Sequence, residues 1–359
     1  MEKETKLYFT NLVGETIDRL ADEIKAEDVV VIADVNTAQF VLPVLRNDSR
    51  TVAGARLLTI KAGEEGKTID ETIRAWRELQ KMEATRSTLV INLGGGVVTD
   101  LGGFVAATFK RGMRFINVPT TVLGAVDASY GGKTGVNFGQ LKNQIGVFAD
   151  PYASVISSIY FNTLPKQQIL SGYAEMLKHG VLMDADTLAS LLRYSPVYPV
   201  FDSEGILPLI EKSCKVKQDV VREDPREAGR RKILNLGHTA GHAIEAFGYR
   251  HGNPVPHGYA VAWGLVVSLV LSHLKLGFPS ETLHKVADYI YTNYGTFQLS
   301  CDDYPELLAS MRQDKKNLHP GVIAFTLMKD VGVPQTDVEV ADDDITAAID
   351  IFRDLMHQS

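Results

Sequence analysis

Residues Ser87-Thr88-Leu89-Val90-Ile91-Asn92 run straight into Leu93-Gly94-Gly95-Gly96-Val97-Val98-Thr99-Asp100, and this junction constrains the fold more than any other. A short run of aliphatic and β-branched residues reads as a strand buried on both faces. Glycines at the end of such a strand let backbone come close to a ligand. The first amides of the helix that follows have no partners of their own and lie at the positive end of its dipole, so they suit an anion. Together these features are a recipe for holding a pyrophosphate. A tight turn at the edge of a sheet would use the same residues.

The surrounding sequence supports a sheet. Asp28–Asp34 and Phe115–Pro119 read as further buried strands, with helical patterns over 67–81 and 100–109 among them. Strand and helix in alternation imply a Rossmann-like parallel sheet. After Thr163-Leu164-Pro165 helical periodicity takes over, at 169–183, 206–222, 240–247, 260–274, 282–294 and 345–356. The expected fold is therefore an α/β nucleotide-binding domain over 1–165, followed by an all-α domain over 166–359 that carries metal and substrate.

Composition excludes several classes. The net charge of −7 argues against a nucleic-acid binder, which would be strongly basic. Two cysteines, Cys214 and Cys301, cannot build a disulfide framework or a thiolate metal site. The first residues, MEKETKLYFT, lack an apolar signal core. The apolar stretch 260–274 is interrupted by Gly264, Ser268, Ser272 and His273 and reads as a buried helix, too short to span a bilayer. A cytoplasmic protein is expected, with no membrane or nucleic-acid partner.

Candidate ligand-binding residues gather where strands end. Asp34 closes the Asp28–Asp34 run, where a carboxylate could accept hydrogen bonds from a ribose or cap the next helix. Ala62-Gly63-Glu64-Glu65-Gly66-Lys67 forms a second polar loop. Thr120 and Thr121 follow the third strand, at the edge where open α/β sheets bind ligands. Asp127-Ala128-Ser129-Tyr130-Gly131-Gly132-Lys133 and, further on, Lys142 and Asn143 supply lysines on a glycine-rich loop suited to phosphate or carboxylate. Arg111 adds a bidentate fork nearby.

The helical half carries a different chemistry. Asn235-Leu236-Gly237-His238-Thr239-Ala240-Gly241-His242 puts two histidines four residues apart, on one face of a helix. If that helix or its entry turn reaches back far enough, Arg231, Asn235 and the two histidines point into one cleft. Two histidines with one carboxylate form a catalytic metal set with an open position. Spacing alone leaves the ligands open among His238, His242, His251, His257, His179 and Glu175.

Taken together, Gly94–Gly103, Arg111–Thr121, Asp127–Asn143, Thr163–Lys178, Lys232–Glu245 and His257–Gly264 resemble the 3-dehydroquinate synthase family of sugar-phosphate cyclases. The ordered resemblance runs from about residue 30 to about residue 330. It implies a homodimer using NAD and one divalent metal, zinc or cobalt. By the same resemblance, Glu175, His238 and His257 would hold the metal and His242 would be an acid/base group beside it. Asp127, Lys133, Asn143, Lys178, Lys217, Arg231, Asn235, Arg111 and Lys315 (or its neighbour Lys316) would serve the substrate. NAD would touch Asp34, Asn36, Ala62, Gly63, Glu64, Glu65, Gly66, Lys67, Gly94, Gly95, Gly96, Val97, Val98, Thr99, Asp100, Thr120, Thr121, Lys133, Lys142, Tyr160, Phe161, Asn162 and Thr163. Two departures stand out: Thr99 occupies a position where many relatives carry glycine, and Tyr259 one where glutamate is common.

The implied substrate is an anionic sugar-acid phosphate, 3-deoxy-arabino-heptulosonate 7-phosphate. It would be cyclised to 3-dehydroquinate with loss of phosphate and no net redox change. The competing readings are an NAD- and metal-dependent alcohol or glycerol-phosphate dehydrogenase, another sugar-phosphate cyclase, and a catalytically dead ligand-binding protein.

Overall fold

A computed structural model of the chain describes residues 5–139, 141–197, 201–224, 229–313, 319 and 321–358. They form two compact units. Residues up to Pro165, with Ser203–Cys214, make the first; Lys166–Asp202 and the chain from Lys215 onward make the second.

The first unit is built on strands β1 (Lys6–Phe9), β2 (Asp28–Asp34), β3 (Arg56–Ile60), β4 (Thr88–Gly94), β5 (Phe115–Pro119) and β8 (Ala153–Ile156). They form one parallel sheet in the order β1-β8-β5-β4-β2-β3. Side chains alternate between its faces. Val31, Ala33, Leu89, Ile91, Ile116 and Val118 enter one core with the helix Val13–Ile24. Val30, Ile32, Val90 and Phe115 enter the other, with the helices Ile69–Lys81 and Gly96–Thr108. Cores on both faces explain why the strands read as continuous apolar runs. Between β5 and β8 an antiparallel hairpin intervenes, β6 (Lys133–Phe138) with β7 (Leu141–Phe148). Sequence reading missed it, because polar residues and glycines break up its apolar positions and leave no clean alternation.

The second unit is mostly helical. Its centre is the helix His257–Leu276, fourteen of whose residues are buried. At 20 residues it is longer than its sequence pattern suggested, and long and apolar enough to cross a membrane. Its most apolar window is 72% buried inside the protein, as a core helix would be. An added Cβ at Gly264 would stand 2.1 Å from the Gly237 carbonyl oxygen. Glycine at 264 is thus what lets this helix lie close to the helix His238–Arg250. The unit is not all-α: β9 (Ile323–Asp330) and β10 (Val333–Val340) form an antiparallel hairpin. Pro334 and a register break between Gln335 and Val338 had blurred the period-two pattern of β10.

Candidate active site

In the second unit, three elements bring together Glu175, His238 and His257. Their ligand atoms lie within 4.8 Å of one another, the one such group of metal-binding side chains among the described residues. Glu175 sits on the helix Lys166–Met183 and is 1% exposed. His238 opens its helix and His257 opens the core helix. Both imidazoles are held through Nδ1: that of His238 donates to the Leu236 carbonyl at 3.1 Å, and that of His257 to Glu245 at 3.0 Å. Their Nε2 atoms lie 3.5 and 3.7 Å from Glu175 Oε1. Ligands bonded to zinc at about 2.0 Å in a tetrahedron stand roughly 3.3 Å apart, so little adjustment separates this cluster from a metal centre. Two imidazoles and a carboxylate leave a fourth position for a ligand.

The electrostatics agree. Burial would raise the Glu175 carboxyl, but Lys178, His238 and His257 outweigh it and hold the group well below the usual carboxylate range. Burial would lower His257, yet the carboxylates of Glu175 and Glu245 push it up to about 9. An anion is therefore prepared for a cation, and a metal binding here would displace the proton of His257.

Two other expected groups of the second unit, Lys178 and His242, adjoin this cluster. Lys178 is 2% exposed and pairs with Glu175 one turn away. The His242 ring lies 5.3 Å from that of His238 and 5.9 Å from that of His257, centre to centre. Lys217 and Arg231 are buried, at 6% and 4% exposure. The helix of His238 does not reach back to Arg231 and Asn235, because Gly237 adopts a left-handed conformation and ends it. Those two residues occupy a separate 3₁₀ segment, Arg230–Asn235, whose entry is tied down by Asp224 accepting from the amides of Gly229 and Arg231. His251 is outside the cluster, bonded at the surface to Glu306. His179 is buried one turn beyond Glu175 and is not part of the triad. Lys315 and Lys316 lie outside the described residues.

In the first unit, the carboxyl ends of β2, β4 and β5 lie side by side and place Asp34, Gly94–Gly96 and Thr120–Thr121 along one edge. Gly95 caps the helix Gly96–Thr108, leaving the first-turn amides at its positive end. Thr99 fits this turn by bonding its hydroxyl to the Gly96 carbonyl, at 3.1 Å. Thr121 accepts from the Gly124 amide at 3.0 Å. Asp34 caps the helix that follows it, Oδ1 accepting from Asn36 and Thr37. Tyr160 and Phe161 are core residues, at 5% and 0% exposure, while Asn162 bonds to Ser203 and Thr163 to the Tyr160 carbonyl.

A charge cluster lies in the same unit. Lys67 is 3% exposed; its Nζ donates to Asp100 at 2.6 Å and to Asn143 at 2.5 Å. Asn143 has a left-handed backbone (φ 51) and its amide donates to Asn137. Burial pushes Asp100 up to about 6 against the pull of Lys67, with Asp127 and Glu64 adding to the rise. Lys133 and Lys142 are exposed on the β6–β7 hairpin, and Arg111 is exposed on the turn that follows Thr108.

Sequence reasoning assigned no role to Glu245, although it lies on the helix of the two histidines. Its place became visible only through the contact with His257.

The family model described as "3-dehydroquinate synthase N-terminal" matches residues 57–171, and that described as "3-dehydroquinate synthase C-terminal" matches residues 172–317. A 3-dehydroquinate synthase of Parabacteroides distasonis is 39% identical over 354 residues, covering 99% of both chains. Among solved structures, 2-deoxy-scyllo-inosose synthase, complexed with carbaglucose-6-phosphate, NAD+ and Co2+, aligns with a TM-score of 0.84 at 21% identity, over 98% of this chain and 99% of that one. A 2-epi-5-epi-valiolone synthase from Streptomyces hygroscopicus, with NAD+ and Zn2+ bound, aligns with a TM-score of 0.84 at 23% identity, over 99% and 98%.

Proposed function

The chain belongs to the 3-dehydroquinate synthase family, and from that premise we propose that it converts 3-deoxy-arabino-heptulosonate 7-phosphate to 3-dehydroquinate and phosphate. The observation that carries this reading is the convergence of Glu175, His238 and His257, with the His242 ring beside them.

Glu175, His238 and His257 would hold a divalent ion, zinc or cobalt, and the edge formed by Asp34, Gly94–Asp100 and Thr120–Thr121 would hold NAD. When bound, the ion supplies a Lewis acid for vicinal hydroxyls and NAD supplies a hydride exchange that is reversed within one turnover. His242 takes the hydroxyl proton at the reacting carbon. Lys178, Lys217, Arg231 and Asn235 bind and orient the anionic ends of the substrate, while Lys133, Arg111 and Lys315 extend the cationic set and Asn143 adds a neutral amide. Asp127 would contact the substrate. Once that carbon is a ketone, the neighbouring C–H is acidic and phosphate departs by elimination. With NAD bound to reverse the oxidation, ring opening and an intramolecular aldol step within the substrate would close the carbocycle. The protein contributes chiefly orientation and charge stabilisation. A homodimer in the cytoplasm completes the reading.

The test is turnover with NAD in only catalytic amount. Phosphate release stoichiometric with substrate, and no accumulation of NADH, supports the reading. NADH accumulating in step with a simple polyol would replace it with a dehydrogenase. Lys133→Ala should lose turnover while keeping its melting temperature, since an exposed lysine at the start of a hairpin strand contributes little packing; unchanged kinetics would remove its role.

A further inference from the structure

Three polar side chains share one rung of the parallel sheet. Asn92 of β4 pairs in register with Asn117 of β5, which pairs with Ser154 of β8. Their neighbours Leu93, Val118 and Val155 point into the opposite core, so these three face the helix Gly96–Thr108. None is more than 2% exposed. The proposed chemistry uses none of them.

The row is wired in one direction. Asn92 Nδ2 donates to Asn117 Oδ1 at 2.9 Å, and Asn117 Nδ2 donates to the Ser129 carbonyl at 2.8 Å. Ser154 Oγ donates to the same carbonyl at 2.5 Å. A carbonyl can only accept, so it sets the orientation of Asn117 and then of Asn92. At the other end, an added Cβ at Gly102 would lie 2.1 Å from Asn92 Oδ1. Glycine there is what lets the helix rest on the row. Buried amides cost free energy unless paired, and once paired they hold one arrangement.

Ser129 lies between Asp127 and Lys133 and ends the wide π-helical turn Gly124–Ala128, its amide donating to the Gly124 carbonyl at 2.9 Å. A small cavity beside the row is lined by Thr99, Asn117, Ser129, Lys133 and Thr134. The row therefore touches both the helix that begins at the glycine triplet and the segment 127–133, which carries two expected substrate groups.

We propose that Asn92, Asn117 and Ser154 are positioning residues: they fix the Ser129 carbonyl, and so the reach of Asp127 and Lys133, against the helix Gly96–Thr108. The consequence for catalysis rests on the function proposed above; the placement of the turn does not.

The experiment compares the parent with Ser154→Ala, which removes one donor to that carbonyl, and Asn117→Leu, which removes the other at similar volume. Amide hydrogen exchange over 127–133, kcat and KM for the heptulosonate phosphate, and bound zinc per chain are measured. Exchange over 127–133 should rise on the order of tenfold in Asn117→Leu and less in Ser154→Ala, with β2 unchanged. Misplaced groups should lower kcat by on the order of tenfold to a hundredfold, with a smaller change in KM and unchanged zinc. Parental exchange over 127–133 in both variants overturns the proposal. So does a rise spread evenly over the whole sheet, which marks a merely structural role. If Asn117→Leu fails to fold, Ser154→Ala decides by the same criteria. A parent inactive on this substrate, with a localised exchange change in the variants, refutes the function and leaves the positioning role standing.

Discussion

Glu245 Oε2 accepts from His257 Nδ1 at 3.0 Å, which turns the other ring nitrogen toward Glu175. A carboxylate behind an imidazole fixes both its tautomer and its orientation. Glu245→Ala should therefore weaken zinc binding by about tenfold to a hundredfold, read by competition with a chromophoric chelator. Parental affinity would show that the ring needs no such support.

The same contact predicts a pH signature for the metal-free protein. His257 is raised from 6.5 to about 9, so the folded state binds its proton more tightly than the unfolded chain does. Its stabilisation is complete below pH 6.5 and is lost as pH rises through 9. In the presence of a strong chelator, the melting temperature should fall over that window, and the fall should shrink in His257→Gln. Zinc must displace this proton, so its affinity should climb with pH until about 9 and then level off. A zinc affinity flat between pH 7 and 9 would contradict the assignment.

Glu175 and Lys178 are a buried pair, 1% and 3% exposed at the side chain. Glu175→Gln should abolish zinc binding and also leave the Lys178 ammonium without its counter-charge, costing about 3–5 kcal/mol in denaturant unfolding. Adding Lys178→Met should restore most of that stability without restoring zinc. Zinc retained by Glu175→Gln would move the metal site elsewhere.

Asp100 gives the opposite kind of test. Its carboxyl is raised from 3.8 to about 6, mainly by burial and despite Lys67, so ionising it opposes folding. The folded state loses stability as pH rises from about 4 through 6. Asp100→Asn removes that loss. Relative to the parent, the variant should gain up to about 3 kcal/mol between pH 4 and 7, at 1.36 kcal/mol per unit. Urea unfolding across that range measures it, and a constant difference would refute the raised value.

Much of the architecture was readable from local pattern. The buried strands at 28–34, 88–94 and 115–119 announced themselves as runs rich in β-branched and aliphatic residues, because a sheet covered on both faces favours apolar residues along most of each strand. The glycine triplet and the His238–His242 spacing were legible for the same reason: their chemistry is carried by near neighbours. The β6–β7 and β9–β10 hairpins were not, since polar residues, glycine and Pro334 hide the alternation in strands whose stability comes from pairing. Nor could spacing choose Glu175, His238 and His257 over His179 and His251, or show that Gly237 breaks the helix before Arg231. Those outcomes depend on which helices pack together, and close packing is a property of distant residues such as Gly237 and Gly264 meeting in space. Periodicity reports what one segment needs to bury. Only the folded chain settles what it is buried against, and the ligand set, the Glu245 support and the Asn92–Asn117–Ser154 row all belong to that second kind of fact.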